Sequence, residues 1–324
     1  MRRKFDLQLF AAGDNNNQNI RYYGKQFAGI VEAVFAVQSH FGDFFAGGLE
    51  TLDGISEKAT AFSVKTSDVA SALTAGTVSA AGAYTNGYDT GANVGMGTGT
   101  GKTSRFGNRT EVIYNDIDVP YSFNWTFHEG LDRHTVNNDF DAAIADRLDL
   151  QAQAKVAMLN AQHGAYISSI AGKVISKASI DATSVAAVFN ELSAHFVNVG
   201  AVGTKVAAVN PDIYNAIIDC GLATTAKGSS VNIDREEVTM FKGFVIEQIP
   251  ASDFAQTTVS SNDYDDCIYA YVQHIGKAFL GINTARTIES EDFDGVALQG
   301  AGKGGQWVPN DNKAAVAKVY TTGA

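Results

Sequence analysis

The sequence predicts an α+β fold, and three patterns lead to that prediction. A long helical pattern lies in the middle of the chain, strongly alternating strand patterns precede it, and short helices alternate with short apolar strands after it. The chain has 324 residues, of which 45% are hydrophobic, so it can bury the core of one large domain or two smaller ones.

The first 25 residues are polar and more basic than the rest of the chain. They contain five basic and two acidic groups, whereas the remaining residues hold 19 basic and 33 acidic groups. This composition predicts a mobile arm. Four apolar residues interrupt the arm, and we expect them to dock on another surface because they would otherwise be exposed to water. They are Phe5, Leu7, Leu9 and Phe10.

A helix and two strands follow the arm. Apolar residues at positions 27, 30, 31, 34 and 35 form the single stripe of an amphipathic helix. Alternation predicts one strand over residues 60–66 and a stronger one over residues 117–127. Pro120 lies within the second strand, so we expect a sheet edge or a β-bulge there.

The residues between these strands have little capacity to form a core. Residues 69–101 carry a single charge, at Asp89, and residues 82–107 contain eight glycines. Two strand limbs of about 20 residues each would reach roughly 60 Å, whereas a compact chain of this length has a radius of gyration of roughly 20 Å. We therefore predict that this loop leaves its own subunit and lies across a neighbouring copy.

A long helix is predicted over residues 139–173. Asn138 or Asp139 can cap its start, and Gly164 is expected to mark a kink or an end. The predicted buried face consists of Phe140, Ile144, Leu148, Ala152, Val156, Leu159, Ile167 and Ile170.

The sequence after this helix has an α/β-like pattern. Asn210 and Pro211 supply the N-cap and first residue of one helix, and Gly221 is expected to end it. An earlier helix over residues 184–197 has an apolar face of Val185, Val188, Phe189, Leu192 and Phe196. Strands are predicted over residues 206–209, 244–249 and 267–272, with further strand segments over residues 296–320.

No motif predicts catalysis, a cofactor or a metal ion. Residues 97–103 resemble a phosphate-binding loop, but Met96 stands in place of its first glycine and no strand precedes it. His128 and His134 lack the spacing of a zinc protease. His163 and His195 lie on or beside apolar helical faces, as core histidines do.

The cysteines and one acidic run also have structural explanations. Cys220 and Cys267 are expected to be small core hydrophobes, because two cysteines without ligand spacing form neither a disulfide framework nor a metal site. The acidic residues 262–266 are expected to form a solvated turn, since they lack the glycine and the final glutamate of a calcium loop.

Charge and hydropathy restrict the partners. The acidic body is not expected to bind nucleic acid tightly through its phosphates, so any contact with DNA would be weak. No apolar run approaches the roughly 20 residues that span a bilayer. We therefore expect a chain that is made in the cytoplasm and has no membrane contact.

Both ends of the chain resemble a known family. Residues 5–11, Phe-Asp-Leu-Gln-Leu-Phe-Ala, are similar to the start of major capsid proteins of tailed phages that infect Gram-positive bacteria. Residues 296–303, 307–309 and 313–319 are similar to the C-termini of that group. The order of arm, helix, long hairpin, long helix and α/β region extends the resemblance over nearly the whole chain, and it is the order of the Hong Kong 97-like capsid fold.

The resemblance implies a set of domains. Residues 1–28 would form an N-terminal arm, residues 29–57 an N-terminal helix region, and residues 58–118 the extended loop, a β-hairpin. The peripheral domain would combine residues 119–179, which hold the spine helix, with return strands over residues 291–324. Residues 180–290 would form the axial domain around the centres of hexamers and pentamers.

The resemblance also implies a function. The chain would be a major capsid protein, not an enzyme, that assembles as hexamers and pentamers into the icosahedral shell around the phage double-stranded DNA. Scaffolding and portal proteins would be its partners. The residues expected at contacts between subunits are Phe5, Leu7, Leu9, Phe10, Tyr88, Gly97, Gly99, Gly101, Lys102, Arg105, Phe106 and Trp307.

Some relatives join a loop lysine covalently to a neighbour's asparagine with the help of a glutamate. Lys102 with Asn310 or Asn312 would be the pair here, but no glutamate follows Glu291, so we predict no cross-link. Two other functions remain open. A tail-tube or other structural virion protein should lack the long spine helix, and a nucleotide-binding enzyme would use residues 97–103.

Overall fold

The computed structural model describes residues 38–51, 60–67, 77–78, 84–85, 112–135, 140–220, 230–232 and 237–323. The chain divides into two compact units, one formed by Lys58–Pro120 and the other by Met1–Glu57 together with Tyr121–Ala324. The predicted arm, the predicted helix near residue 30 and the phosphate-loop-like residues 97–103 lie outside the described residues.

The described strands and helices are numbered in chain order. The helices are α1 (Phe140–Ile170), α2 (Val185–Asn198) and α3 (Pro211–Asp219). The strands are β1 (Phe45–Thr51), β2 (Thr60–Ser67), β3 (Thr77–Val78), β4 (Tyr84–Thr85), β5 (Tyr114–Pro120), β6 (Phe123–Asp132), β7 (Lys173–Lys177), β8 (Lys205–Val209), β9 (Ser230–Asn232), β10 (Glu237–Phe241), β11 (Phe244–Gln248), β12 (Gln256–Val259), β13 (Asn262–Val272), β14 (Gly276–Glu289), β15 (Gly295–Trp307) and β16 (Val316–Thr321).

The larger unit contains two sheets. One has the strand order β1-β14-β15-β6, and the other has the order β7-β16-β13-β8-β11-β10-β9, with β12 paired to β13. Strand β14 lies within the range predicted for the axial domain, yet it pairs with β15 and β1. Strand β16 lies within the predicted return strands and pairs with β13 and β7. The predicted domain boundaries themselves stay a prediction.

The eight-stranded sheet is covered on both faces. Alternate residues of its central strand β8 belong to different apolar clusters, with Ala207 and Val209 in one and Val206 and Ala208 in the other. A strand that is buried on both faces has apolar residues at successive positions. Residues 206–209, Val-Ala-Ala-Val, form such a run. Helices α2 and α3 contribute to the first cluster, whereas Ile167 of α1 contributes to the second.

Helices α2 and α3 confirm the apolar face and the helix start predicted for them, whereas Gly221, expected to end α3, lies outside the described residues. All five residues of the predicted apolar face of α2 are buried in the first cluster. At the start of α3 the side chain of Asn210 accepts a hydrogen bond from the backbone N–H of Ile213 at 2.9 Å, and Pro211 is the first helical residue. Cys220 and Cys267 are both buried and unbonded to each other, as expected of core hydrophobes.

Helix α1 differs from its prediction in two respects. No residue of α1 before Asn160 is buried, and Ala152, which was predicted on the buried face, is exposed. Gly164 does not end the helix, which continues to Ile170. A Cβ at Gly164 would overlap the carbonyl oxygen of Asp253, so this glycine allows the turn Ala251–Asp253 to pass against the helix backbone.

One strand prediction and one turn prediction are also corrected. The strand predicted over residues 117–127 is two strands, β5 and β6, which belong to different sheets. A register shift where Pro120 and Val119 pair with β2 matches the expected bulge. The acidic residues 262–266 are not a turn but the first part of β13, and the adjacent turn is made by Ser260 and Ser261, both with positive φ.

The segment that leads into β1 is held in the second apolar cluster. Phe41, Phe44 and Phe45 are buried there. Asn160 of α1 bonds to this segment twice, because its Oδ1 accepts from the backbone N–H of His40 at 3.0 Å and its Nδ2 donates to the carbonyl of Gln38 at 2.8 Å. Gln38, the first described residue, is therefore held beside the C-terminal half of α1.

His163 is a buried histidine, as predicted. Its Nδ1 accepts a hydrogen bond from Nε2 of Gln306 at 3.1 Å, and the Oε1 of Gln306 accepts one from Ser122 at 2.8 Å. Burial lowers the pKa of His163 to about 4. The imidazole is therefore neutral in the folded protein at neutral pH.

We expect His163 to make stability decrease as the pH falls from about 6.5 towards about 4. In that window the unfolded chain binds a proton at residue 163 and the folded chain does not, which favours unfolding by up to about 3 kcal/mol. Denaturation of the natural protein and of His163→Gln at pH 7 and pH 5 measures this. The natural protein should lose about 2 kcal/mol more than the variant, and parallel pH profiles would contradict the assignment.

Candidate assembly surfaces

The smaller unit presents a two-stranded antiparallel ribbon formed by β2 and β5. The register joins Val64 to Ile117 and Lys65 to Asp116. Residues directly opposite each other in an antiparallel pair share one face of the ribbon. The ribbon therefore has an apolar face, with Phe62, Val64, Ile117 and Val119, and a polar face, with Ser63, Lys65, Asp116 and Asp118.

Side chains on the polar face contact each other across the two strands of the ribbon. Oγ of Ser63 donates a hydrogen bond to Asp118 at 2.5 Å, and Nζ of Lys65 lies 4.0 Å from Asp116. An exposed pair of this kind contributes at most about 1 kcal/mol. These exposed contacts provide little stability to the ribbon.

The apolar face is only partly covered. Ile117 is 39% exposed and Val64 is half-buried, and Ile113, which lies just before β5, is 52% exposed. An isolated two-stranded ribbon is marginally stable in water. Contiguous exposed apolar residues of this kind characterise protein interaction surfaces.

In the larger unit, strand β6 forms one edge of the four-stranded sheet, where its only described partner is β15. The aromatic residues of β6 lie over a row of glycines in β15, since Phe127, Trp125 and Phe123 are paired with Gly300, Gly302 and Gly304. A Cβ at Gly302 would overlap the indole of Trp125. The glycines therefore make room for large rings that remain half-buried at the sheet edge.

Polar contacts join α1 to this sheet. Arg147 binds Glu129 of β6 with two hydrogen bonds, Nε at 2.7 Å and Nη2 at 2.9 Å, and Gln151 donates to the same carboxylate. The hydrogen bond from Arg147 holds the pKa of Glu129 below its usual value. Lys155 donates to Oδ1 of Asn283 at 2.8 Å and lies 4.9 Å from the ring centre of Trp125. The partial burial that results lowers the pKa of Lys155.

The described parts of the chain contain no group of three or more His, Cys, Asp or Glu side chains placed to hold a metal ion. Glu129 is engaged by Arg147, and His134 lies 3.7 Å from Asp294 at an exposed position. None of the helices in this part combines the length and apolar composition that crossing a membrane requires.

Of the residues predicted at subunit contacts, Trp307 alone lies within the described residues. It ends β15, where it is paired with Lys277 of β14, and it is half-buried. Asn310 and Asn312, the candidate residues for a cross-link that we predict does not form, lie in a short 3-10 segment just after it. The apolar face of the ribbon was not among the residues predicted at subunit contacts. The glycine row of β15 was not singled out either, although the alternation of glycines at positions 300, 302 and 304 is visible in the sequence.

The fold is that of phage capsid chains. No family profile and no curated protein sequence matches the chain. Solved structures do match it over most of its length, and they define the class as the Hong Kong 97-like capsid fold, which confirms the fold predicted from the sequence.

Three of these structures illustrate the likeness. The mature capsid of bacteriophage PhiM1 is 11% identical with a TM-score of 0.58, covering 89% of this chain and 88% of that chain. The capsid of cyanophage P-SCSP1u is 11% identical with a TM-score of 0.57, covering 91% and 95%. A chain from Mycobacterium phage Che8 is 14% identical with a TM-score of 0.52, covering 82% and 86%. The narrower likeness to phages of Gram-positive bacteria stays a prediction.

Proposed function

We propose that this chain is the major capsid protein of a tailed phage and assembles as hexamers and pentamers into an icosahedral shell around double-stranded DNA. The observation that carries the proposal is the ribbon of β2 and β5, whose apolar face is incompletely covered in a chain with a capsid fold. A neighbouring copy would cover that face. Each contact can be modest, because a closed shell makes many of them for each subunit that is immobilised.

The same proposal includes partners and location. Scaffolding and portal proteins take part in assembly in the host cytoplasm, and the finished shell is part of the virion. The net charge of −11 supports weak contact with the packaged DNA, since an acidic wall repels phosphates. The role is structural rather than catalytic.

The length of α1 argues against a tail-tube protein. That alternative was expected to lack a long spine helix, and α1 has 31 residues. Electron microscopy of the purified chain separates the candidates. The proposal predicts closed icosahedral particles, whereas tubes would indicate a tail protein, and small particles that bind nucleotide would indicate an enzyme.

Placing charges on the apolar face of the ribbon should abolish assembly without unfolding the body. We expect Val64→Asp with Ile117→Asp to reduce the yield of closed particles at least about tenfold, because burying unpaired carboxylates in an interface is costly. The larger unit should melt as in the natural protein, since neither side chain belongs to it. Electron microscopy and thermal melting of the same samples measure the two effects.

Lys65→Ser is the matched control for the ribbon. It changes the opposite face of the same strand pair, where the contact with Asp116 is long and exposed. Particles should form at nearly the natural yield. Equal loss of assembly in the control and in the double variant would contradict a specific role for the apolar face.

Mature particles are expected to contain no covalent links between subunits. The only lysine in the glycine-rich stretch over residues 82–107 is Lys102, and no glutamate follows Glu291 to assist its reaction with Asn310 or Asn312. Particles boiled in denaturant should therefore give a single band at the size of one chain on a gel. A ladder of larger species that resists reducing agents would show that the expectation is wrong.

A further inference from the structure

A cleft of about 380 Å³ lies between the first turns of α1 and the end of β6. Its lining combines apolar and charged groups, namely Glu129, Gly130, Leu131, Ala143, Asp146 and Arg147. Glu129 and Arg147 neutralise each other, so Asp146 leaves the lining with a net negative charge. The cleft is open to solvent on a part of α1 that has no buried residue.

The surroundings of the cleft are strongly acidic. Residues 129–135, 140–149 and 289–295 contain nine acidic groups and two arginines. These stretches are neighbours, because Leu131 is paired with Val296 and the backbone N–H of Arg133 donates to the carbonyl of Asp294 at 2.9 Å. Both arginines are already engaged by carboxylates. The excess negative charge favours a basic partner.

The N-terminal end of this chain has the matching chemistry. Residues 2–10 begin with Arg2, Arg3 and Lys4 and continue with the four apolar residues for which docking on a surface was expected, with Asp6 as their single acidic group. The 27 residues that separate this segment from Gln38 can extend to roughly 90 Å. From Asn160, which holds Gln38, to Ala143 is about 26 Å along α1. The segment can therefore reach the cleft of its own copy or of an adjacent one.

We propose that residues 2–10 dock in the cleft between α1 and β6, with an aromatic or leucine side chain against Leu131 and Ala143 and the basic residues beside Asp146 and the surrounding carboxylates. The inference goes beyond the proposed function, because it does not require a closed shell. It gives the basic apolar tail a defined receptor and covers the part of α1 that its own sheet leaves open.

Engineered disulfides in the full chain test the proposal. Phe10→Cys with Ala143→Cys should form a disulfide under mild oxidation, seen on a non-reducing gel as a shifted monomer or a dimer according to which copy supplies the segment. The natural Cys220 and Cys267 are buried and do not compete. The matched control is Phe10→Cys with Ala157→Cys, an exposed position on the same helix about 21 Å further along. Its yield should be several-fold lower.

Charge reversal and a second cysteine pair, which probes a different occupant of the cleft, complete the test. Arg2→Glu with Arg3→Glu should reduce the yield of the first pair about threefold at low salt, and adding Asp146→Lys should restore it. Equal yields for the two cysteine pairs, or no effect of charge reversal, would overturn the proposal. So would a more efficient disulfide between Ile117→Cys and Ala143→Cys, which would place the ribbon in the cleft. Particle formation is scored separately by electron microscopy, so failure here leaves the shell proposal standing.

Discussion

Replacing Gly164 by alanine is expected to lower the free energy of unfolding by about 2–4 kcal/mol. In an open helix the same change would raise it by about 1 kcal/mol. A Cβ at Gly164 would overlap the carbonyl oxygen of Asp253 and lie 3.1 Å from the carbonyl carbon. Because the obstacle is backbone, no side-chain rotation relieves it, and either the turn or the helix must move. Chemical denaturation of the two proteins measures the difference.

Gly42→Ala is the control for this substitution. Gly42 lies in the segment that packs beside α1, and a Cβ there meets nothing within 4 Å. Its effect should remain within about 1 kcal/mol. A rise in stability for Gly164→Ala, as in an ordinary helix, would contradict the close approach of the turn Ala251–Asp253.

Replacing Asp266 by alanine is expected to have a similarly large effect, a loss of about 3–5 kcal/mol. Asp266 is 2% exposed. Its Oδ2 accepts hydrogen bonds from Ser168 at 2.6 Å and Tyr269 at 2.9 Å, and its Oδ1 accepts one from Thr257 at 2.5 Å. Lys318 donates to Oγ of Ser168 at 2.9 Å. Alanine would leave three hydroxyl donors unpaired and would remove the carboxylate that shares Ser168 with the lysine.

Asp266→Asn separates the contribution of the hydrogen bonds from that of the negative charge. The amide keeps one acceptor oxygen but loses the charge, so its stability should fall between those of the natural protein and the alanine variant. Urea denaturation of all three proteins at pH 7 gives the order. An alanine variant as stable as the natural protein would show that the buried carboxylate does not organise this part of the sheet.

Local patterns in the sequence predict the helices well. The apolar spacing of α2 and the Asn210-Pro211 start of α3 depend on neighbours within one or two turns, and both predictions are confirmed. The alternation of residues 60–66 predicts β2 for the same reason. Cys267 likewise lies in a strand predicted from its apolar neighbours.

Long-range contacts explain what the sequence patterns do not predict. The role of Gly164 depends on Asp253, and that of Asp266 depends on Ser168 and Lys318, all far away along the chain. The acidic run at residues 262–266 is a local exception: it has the composition of a turn, yet hairpin pairing with β12 across Ser260 and Ser261 makes it a strand. Strand β14 shows little alternation because its second half is exposed on both faces.

The ribbon is an intermediate case. Its two strands follow from alternation and its bulge from Pro120. Which residues share the apolar face depends on the register, and the register joins positions 47 to 60 residues apart. Composition indicates that the residues between the strands do not form a core, but it does not identify the surface that covers the ribbon.

Hydrogen exchange of the ribbon amides before and after assembly measures whether adjacent copies complete the ribbon. Amides of β2 and β5 should exchange rapidly in dispersed subunits and be strongly protected in closed particles, while protection of β8 and β13 stays nearly constant. Equal protection of the ribbon in both states, or particles in which the ribbon still exchanges freely, would contradict a ribbon that adjacent copies complete.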